Sequence, residues 1–324
     1  MERFLIFGLG NIALRHIKNI RYLYPKIKIA VVSSSKRAID IDKYGIDIQL
    51  DSQKSIFDFD PEFVIIASPS SFHTEHYKKI YKLNIPILIE KPLASTIEDA
   101  QLAISLEDKN HDSTISLGYC LRYLPSLKIV KNILDEGRLG KIFNIQTEVG
   151  QYLPDWRSNK HYKETVSASK SLGGGALLEL SHEFDYLFHL FGEMKLEYSA
   201  ISNLGDLNLD IDEVSDIIFR TKSNAICYVH LDFYQRQPYR QCRIIGEAGR
   251  INWNLLDNSV ELMTSGGTST IYSDPDFDKN DMYISMLKDL VASHTKNLKS
   301  PIDLKSGYHV VKTISEIKNM AEYE

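Results

Sequence analysis

The first third of the chain alternates short apolar runs with helix-length amphipathic segments, and this alternation limits the possible folds more than any other feature. The apolar runs are rich in β-branched residues and lie at residues 3–8, 27–33, 62–67, 85–90 and 114–118, with a weaker run at 46–50. Helices are predicted between them, at residues 11–23, 36–44, 72–83 and 96–109. Such an alternation is typical of βαβ units, so the sequence predicts an α/β fold with a doubly wound parallel sheet.

The pattern changes after residue 119. A helix at 124–135, a long strand at 141–151, a polar loop at 154–172 and a helix at 176–191 precede a series of β-rich segments, at residues 195–202, 214–221, 225–234, 239–246, 249–254 and 259–264. Their close spacing predicts a mostly antiparallel sheet. Two more helices are predicted at 279–297 and 305–322. We therefore expect a first domain at 1–119 and a second, α+β domain at 120–324, with the last helix able to pack back on the first domain.

Composition argues against several classes of function. The 324 residues carry a formal net charge of −5 and no basic cluster, whereas nucleic-acid binding depends on such clusters to neutralise phosphates. No apolar stretch reaches membrane-spanning length and residues 2–8 do not resemble a signal peptide, so we expect a cytoplasmic protein that binds neither nucleic acid nor membrane. The three cysteines and ten histidines lack the spacing of metal ligands, and no metal site is predicted.

A glycine motif stands where the first predicted strand meets the first predicted helix. Residues 8–13 read Gly-Leu-Gly-Asn-Ile-Ala and match G-x-G-x-x-G/A, with Ala13 in the third place. Here Gly8 permits a tight turn, Gly10 admits a pyrophosphate close to the backbone, and the start of the helix offers free N–H groups to the phosphates. The alternative is a tight turn in some other α/β protein. The strands and helices that follow favour a Rossmann domain that binds a dinucleotide.

The second predicted strand ends without the acidic residue that would bind the ribose 2′-hydroxyl of NAD. Residues 33–37 read Ser-Ser-Ser-Lys-Arg. Hydroxyl groups and cations at this place favour the 2′-phosphate of NADP, through Ser33, Ser34 and Arg37, although Lys36 and Arg37 would also suit the solvated start of a helix. The sequence therefore favours NADP, with NAD as the alternative.

Polar residues follow the other predicted strands, and the carboxyl ends of parallel strands share one edge of a sheet, where ligands bind. The motifs found there and later in the chain are Ser68-Pro69 with His73, Glu90-Lys91-Pro92, Tyr119–Pro125, Gly173–Gly175 followed by His182 and Asp185, and Gly246–Gly249. This set resembles the glucose-fructose oxidoreductase, inositol dehydrogenase and MocA family over nearly the whole chain. Residues 150–157 and 181–193 further resemble a branch associated with nucleotide-sugar or surface-polysaccharide pathways.

The resemblance implies an NAD(P)-dependent oxidoreductase that moves a hydride between nicotinamide and a CH–OH group of a sugar, sugar phosphate, nucleotide sugar or inositol. Such a reaction needs a base for the hydroxyl proton, and Lys91 is the predicted base. His182 is predicted to assist from the second domain, although a histidine in an apolar helix would also suit a core position. The family places an acidic residue four positions before this histidine, whereas Glu179 lies three before it, on the same face of the predicted helix.

Two sets of ligand-binding residues follow from these motifs. The predicted cofactor-binding residues are Gly8, Leu9, Gly10, Asn11, Ile12, Ser33, Ser34, Arg37, Ser68, Pro69, His73, Glu90 and Lys91. The predicted substrate-binding residues are Lys91, Arg122, Trp156, Arg157, Tyr162, Glu179 and His182, with His161, Tyr234 and Arg236 as further candidates. A structural role for His73 would suit its position equally well.

The resemblance also implies a homodimer or homotetramer formed through the sheet of the second domain, where Ile226, Tyr228 and His230 alternate along one face. Two other functions suit the same fold: a non-catalytic NAD(P)-binding sensor, and a glycoside hydrolase that oxidises its substrate transiently with tightly held NAD. The presence of both Lys91 and His182 argues against the sensor. The hydrolase would show no net turnover of cofactor.

Overall fold

The computed structural model describes residues 2–33, 40–109, 114–157, 160–296 and 298–323. The chain forms two units, one of Met1–Tyr119 with Tyr283–Val311 and one of Cys120–Met282 with Lys312–Glu324. The predicted domain boundary at residue 119 is the end of the first stretch of the first unit. The segment Tyr283–Val311, which the sequence-based division assigns to the second domain, belongs to the first unit.

Strands and helices alternate along the first 119 residues. In chain order they are β1 (Arg3–Phe7), α1 (Asn11–Leu23), β2 (Lys28–Val32), α2 (Ile41–Tyr44), β3 (Ile48–Leu50), α3 (Gln53–Phe59), β4 (Phe63–Ile66), α4 (His73–Ile80), β5 (Ile87–Ile89), α5 (Ile97–Glu107) and β6 (Ile115–Leu117). Helix α1 turns Ala13, Ile17 and Ile20 towards the interior, the spacing expected of an amphipathic helix.

The described strands of the first unit form one parallel sheet in the order β3-β2-β1-β4-β5-β6. Its central strands are covered on both faces, because Leu5, Ile65 and Leu88 all have no exposed surface. The strand order reverses between β1 and β4. In a doubly wound sheet this reversal opens a crevice at the carboxyl ends of the strands, where ligands bind.

The rest of the chain begins with helices and then becomes rich in strands. In chain order the elements are α6 (Pro125–Asp135), β7 (Ile142–Gly150), α7 (Ala176–Glu179), α8 (His182–Phe191), β8 (Met194–Ser202), β9 (Val214–Thr221), β10 (Ile226–Asp232), β11 (Tyr239–Gly246), β12 (Gly249–Asn254), β13 (Ser259–Thr264), β14 (Gly267–Ser273), α9 (Asn280–Thr295), α10 (Leu304–Met320) and β15 (Glu322–Tyr323).

The described strands of the second unit form a sheet in the order β14-β13-β12-β11-β7-β10-β9-β8-β15. Most neighbours are antiparallel, whereas β7 with β10 and β8 with β15 are parallel. Burial alternates along the strands, as in β9, where Ser215, Ile217 and Phe219 are buried and the intervening residues are partly exposed. One face of this sheet therefore packs on helices and the other faces outward. The predicted fold class is confirmed for both units.

The prediction of one continuous helix at residues 176–191 is wrong. The helix is interrupted at Leu180 and Ser181, so that α7 and α8 are separate helices. Glu179 and His182 consequently lie on different helices, and the argument that they share a helix face does not hold. Apolar side chains continue through the break, so the periodicity of the sequence does not reveal it. Helix α3 and strand β14 are not predicted from the sequence, and the region 154–172, predicted as a loop, contains short 3-10 turns.

Within the described residues, no helix combines the length and the apolar character needed to cross a membrane.

Candidate functional site

The turn after β1 can be built only with glycine at its first position. Gly8 has a φ of 101°, in the region that L-residues rarely adopt, and a Cβ placed on it would lie 2.6 Å from the carbonyl oxygen of Ala67. The N–H of Gly8 donates to the carbonyl of Val32 at 2.8 Å. Strands β1, β2 and β4 therefore approach one another closely at their carboxyl ends, and any side chain at residue 8 would separate them.

The surroundings of Gly10 are open, whereas those of Gly8 are crowded. A Cβ on this residue would have no heavy atom of the described chain within 4 Å, so the space over its backbone is open. Gly10 is the N-cap of α1, and the first turn of that helix contains no acidic residue. A glycine cap has no side chain that could accept from the first N–H groups of α1, so these groups are left for another acceptor. The residues fit a dinucleotide phosphate, since an anion is stabilised by such N–H groups and by the helix dipole.

The predicted cofactor residues next to this turn differ in exposure. Leu9 and Ile12 are partly buried and Asn11 is exposed, as suits residues that border a ligand. At the end of β2, Ser33 is partly buried. Ser34 and Arg37 lie outside the described residues, and their predicted contacts with a ribose stay a prediction.

His73 joins two of the loops at the carboxyl edge of the sheet. Its Nδ1 lies 2.9 Å from the carbonyl oxygen of Pro92, and its Nε2 lies 2.8 Å from the carbonyl oxygen of Ser68. Burial lowers the pKa of His73, whereas its contacts with the carbonyl oxygens of Ser68 and Pro92 act in the opposite direction. Pro69 follows Ser68 and precedes a 3-10 turn at Ser70–Phe72. The observed bonds give His73 a structural role in holding the loop after β4 against the loop after β5.

A second histidine supports the same loop. His76 accepts from or donates to the hydroxyl of Ser68 through Nδ1 at 2.9 Å, and its ring stacks on Phe7 with a centroid distance of 4.6 Å. Burial lowers the pKa of His76 to about 4, so the ring is neutral at physiological pH. The hydroxyl of Ser68 is thus held within the loop that follows β4.

The Glu90-Lys91-Pro92 segment follows β5 at the same edge of the sheet. Glu90 is buried, with 5% of its surface exposed, whereas Lys91 is partly exposed. The backbone N–H of Lys91 donates to Oε2 of Glu90 at 3.2 Å, and the bond between Lys91 and Pro92 is cis. A Cβ on Gly118 would lie 2.6 Å from Oε2 of Glu90. Glycine at residue 118 therefore makes room for this carboxylate.

In the second unit, the predicted helper His182 is the first residue of α8. It follows the glycine segment that leads into α7, where Gly175 has a φ of 108° and its Cβ would collide with the carboxylate of Asp212. The same carboxylate accepts from the N–H of Leu177 at 2.7 Å. These contacts fix the chain just before α8, while Glu179 ends α7 and is partly buried.

Arg122, a predicted substrate residue, makes two hydrogen bonds to Asp185. Its Nε donates at 2.9 Å and its Nη2 at 2.7 Å, and the side chain of Asp185 is 1% exposed. A paired arrangement of this kind is strong and directional. Asp185 lies in the first turn of α8, one turn after His182. The observed role of Arg122 is thus to hold the start of α8, and its contact with a substrate stays a prediction.

The aromatic residues of the loop at 154–172 bind backbone carbonyls. The indole N–H of Trp156 donates to Gln151 at 3.0 Å, and the hydroxyl of Tyr162 donates to Leu207 at 3.0 Å. His161 stacks on Tyr162 with a centroid distance of 4.7 Å, and Arg157 is partly buried. The loop is therefore held by its own rings, which leaves contacts with a ligand as a prediction for Trp156, Arg157 and Tyr162.

Two of the three further candidates, Tyr234 and Arg236, lie after β10. The hydroxyl of Tyr234 donates to Oε2 of Glu213 at 2.5 Å, and this carboxylate is fully buried. The guanidinium of Arg236 lies 3.6 Å from the centre of the Tyr152 ring, and Arg236 is exposed. Tyr234 is thus held by a buried partner, whereas Arg236 presents a cation at the surface of the second unit.

Comparison with known families agrees with this arrangement. A model described as "Oxidoreductase family, NAD-binding Rossmann fold" matches residues 2–119, and one described as "GFO/IDH/MocA C-terminal domain" matches residues 127–252. The chain belongs to the Gfo/Idh/MocA oxidoreductase family. The resemblance carried by the glycine motif and by the Glu90-Lys91-Pro92 segment is thereby confirmed.

The curated Gfo/Idh/MocA relatives have low sequence identity to this chain. Inositol 2-dehydrogenase of Salmonella typhimurium (strain LT2) is 25% identical over 193 residues, covering 58% of this chain and 54% of the relative. Levoglucosan dehydrogenase of Pseudarthrobacter phenanthrenivorans is 29% identical over 165 residues, covering 49% and 41%. The matched region thus spans about half the length of these curated relatives. A solved structure of levoglucosan dehydrogenase, in complex with NADH and L-sorbose, has a TM-score of 0.84 at 18% identity over 99% of this chain and 98% of that one, which shows a shared fold.

Sequence reasoning missed His16, which lies on α1 of the Gfo/Idh/MocA Rossmann unit. Its Nε2 lies 2.6 Å from Oε1 of Glu90, and the histidine has no exposed surface. A signal was present in the sequence, because His16 interrupts the apolar face formed by Ala13, Ile17 and Ile20. A histidine in such a position needs a buried partner, but the pattern alone does not name it.

The sequence-based division allowed only the last helix to pack back on the first domain, whereas the whole segment Tyr283–Val311 belongs to the first unit. The carbonyl of Ile302 accepts from the N–H of Leu117 at 2.9 Å, beside the edge strand β6. A Cβ on Gly307 would lie 3.0 Å from Cβ of Leu93, two residues after Lys91. Glycine at residue 307 therefore lets α10 pack closely against the segment that follows Lys91.

Proposed function

We propose that this chain is a nicotinamide-dependent dehydrogenase that acts on a CH–OH group of a sugar, sugar phosphate, nucleotide sugar or inositol. One observation carries the proposal. The open space over Gly10, next to the first turn of α1, and the partly exposed Lys91 after β5 lie at the same carboxyl edge of one parallel sheet. An anion-binding turn and an amine at this edge suit a dinucleotide and a proton acceptor.

The cofactor would be held by the turn after β1 and by the loops after β2, β4 and β5. In the proposal, residues 8–12 bind the pyrophosphate, Ser33 borders a ribose, and the loops fixed by His73 and Glu90 border the nicotinamide end. The dinucleotide supplies the hydride acceptor or donor that no amino acid side chain provides. The protein must then supply alignment and a place for the proton.

We assign that proton transfer to Lys91. When an alcohol is oxidised, its carbon loses a hydride and its hydroxyl group loses a proton, which the amine of Lys91 accepts; in the reverse direction the ammonium returns it. His182 is proposed to donate to or accept from the same hydroxyl group. Both groups act on the substrate, so substitutions at either should change kcat more than the affinity for dinucleotide.

The proposed substrate class is tested by a screen. Wild-type protein is incubated with inositols, sugars, sugar phosphates and nucleotide sugars, with each dinucleotide, and the absorbance of reduced nicotinamide is followed. Two relatives are named for inositol and levoglucosan, which favours polyhydroxylated compounds. Arg157→Ala should raise KM for the active compound and leave dinucleotide affinity unchanged, and exposed Arg138→Ala is the control. Activity restricted to apolar aldehydes or amino acids would contradict the substrate class.

The proposed preference for NADP rests on the sequence after β2, where Ser33, Ser34 and Arg37 stand in place of an acidic residue. Fluorescence titration should give a lower Kd for NADPH than for NADH. Arg37→Ala should weaken NADPH binding and change NADH binding little, because only the former carries the 2′-phosphate. A clear preference for NADH that Arg37→Ala does not affect would contradict the proposed preference for NADP.

We also propose that the chain forms a homodimer or homotetramer through the outward face of the second-unit sheet. The register places Tyr198, Ile218 and Tyr228 side by side on neighbouring strands, and Tyr198 and Tyr228 are 46% and 36% exposed. Adjacent exposed apolar groups of this size are typical of interfaces. Light scattering coupled to size exclusion should give a mass of two or four chains, and a monomer at micromolar concentration would contradict the proposal.

A further inference from the structure

A buried hydrogen bond joins helix α1 to the Glu90-Lys91-Pro92 segment. The ring N–H at Nε2 of His16 donates to Oε1 of Glu90 at 2.6 Å, and the two side chains are 0% and 7% exposed. The other ring nitrogen of His16 is buried and has no hydrogen-bond partner within the described part of the chain. The one polar contact shown for this ring is therefore the bond to Glu90.

The carboxylate of Glu90 is fixed from three sides. His16 binds Oε1, the backbone N–H of Lys91 binds Oε2 at 3.2 Å, and Gly118 leaves the space that Oε2 occupies. Because the N–H of Lys91 binds the same carboxylate as His16, the orientation of the Lys91 peptide depends on where His16 places Glu90. The side chain of Lys91 starts from that peptide.

Stability alone is a weak reason for this arrangement. Transferring a polar pair from water to the interior is unfavourable, and apolar residues of similar size often stabilise a core as well or better. The surroundings of His16 would accept an apolar residue, because its neighbours on α1 are Ala13, Ile17 and Ile20, and the ring of Tyr283 meets it edge-on at 6.0 Å. The pair of His16 and Glu90 is better explained by its effect on the orientation of the Lys91 peptide.

We propose that His16 is a positioning residue that fixes Lys91 through Glu90. His16 lies five residues after Asn11, or about 7.5 Å along the helix axis, on the helix that begins after Gly10. The bond therefore couples the helix that would bind the phosphates to the segment that carries the proton-transferring amine. This inference rests on the proposed function of Lys91.

The kinetic test compares two substitutions at residue 16. His16→Leu removes the donor, whereas His16→Gln can place an amide N–H near the former Nε2. We expect His16→Leu to lower kcat about 10- to 100-fold, because a small displacement of a catalytic group has effects of that size, with smaller changes in dinucleotide Kd and substrate KM. His16→Gln should recover most of kcat. The control is His189→Leu, in the last turn of α8, which should leave kcat unchanged.

A second readout needs no activity. In hydrogen exchange followed by mass spectrometry, the peptide that spans Ile87–Leu93 should exchange faster in His16→Leu than in wild type, since the acceptor of the Lys91 N–H loses its other anchor. His16→Gln and the His189→Leu control should exchange as wild type does. Exchange is measured on the whole protein and therefore remains informative if the substrate screen finds no turnover, an outcome that would count against the proposed function alone.

Three outcomes would overturn the inference. Wild-type kcat and wild-type exchange in His16→Leu would show that Glu90 holds its place without the histidine. Equal loss of dinucleotide binding in both His16 variants, without a change confined to kcat, would show a purely structural role. If His16→Leu does not fold, the test rests on His16→Gln. Faster exchange of the Ile87–Leu93 peptide together with unchanged kcat would then show that loosening this segment does not affect catalysis by Lys91, and would contradict the proposal.

Discussion

Replacing Lys91 with alanine should lower kcat by at least about 100-fold, the usual contribution of general acid–base catalysis, and leave dinucleotide binding intact. The expectation follows from position: Lys91 follows β5 at the edge where Gly8 and Gly10 form the turn, but it does not belong to that turn. Lys91 is partly exposed, as a residue that exchanges protons with a substrate must be. Steady-state kinetics and fluorescence titration of reduced dinucleotide measure the two quantities separately.

Three comparisons make the result specific to proton transfer. Lys78→Ala, on the exposed side of α4, removes a lysine of the same unit and should leave kcat unchanged. Lys91→Arg keeps the positive charge but cannot release a proton, so its kcat should be as low as that of Lys91→Ala. Small primary amines added to Lys91→Ala should restore part of the activity. Near-normal turnover in Lys91→Ala would remove the catalytic assignment.

His182 allows a further check on the same assignment. His182→Ala should lower kcat less than Lys91→Ala does, because the histidine assists rather than carries the proton. If the two groups act on one hydroxyl group, the double variant should lose less than the product of the two single losses. Fully multiplicative losses would indicate independent roles. A protein that binds dinucleotide and turns over nothing in the screen would favour the sensor.

Sequence patterns located most of the first unit because its strands are buried on both faces. The runs around Leu5, Ile65 and Leu88 are continuously apolar and are bounded by turns, which fixes their ends within one or two residues. Helix α3 was missed because its seven residues are too few to show a helical period, yet a capping box formed by Ser52 and Ser55 marks its start. Strand β14 was missed because its residues are mostly exposed and polar and show no alternation.

The candidate site was predictable to the extent that it depends on local backbone. Gly8 and Gly10 are needed because of the backbone conformation and the space at their own positions. Such local requirements restrict the residue type, and a sequence motif therefore shows them. Contacts between distant residues leave no such motif. Nothing in the sequence pairs His16 with Glu90, 74 residues away, or Arg122 with Asp185, 63 residues away. For the same reason the sequence offered Arg122 as a substrate ligand, whereas the structure shows its guanidinium bound to a buried carboxylate.

Replacing Arg240 with leucine should destabilise the protein by about 3–5 kcal/mol, because it leaves a buried carboxylate without its partner. Arg240, on β11, donates from Nε and Nη2 to the two oxygens of Glu183, on α8, at 2.8 Å each. The side chain of Glu183 has no exposed surface and that of Arg240 is 18% exposed. Urea denaturation at neutral pH, followed by circular dichroism, measures the change in the free energy of unfolding.

The double variant Glu183→Leu with Arg240→Leu separates the value of the pair from the effect of leaving one charge buried. Removing both charges should recover most of the lost stability, since buried ion pairs contribute little compared with apolar residues of similar size. The control is Arg220→Leu, which breaks the solvent-exposed pair with Glu197 and should leave the free energy of unfolding almost unchanged. If Arg240→Leu were as mild as this control, water or rearrangement would have to satisfy Glu183. If the double variant were as unstable as Arg240→Leu, the pair itself would hold α8 on the sheet, and with it the position of His182, the first residue of that helix.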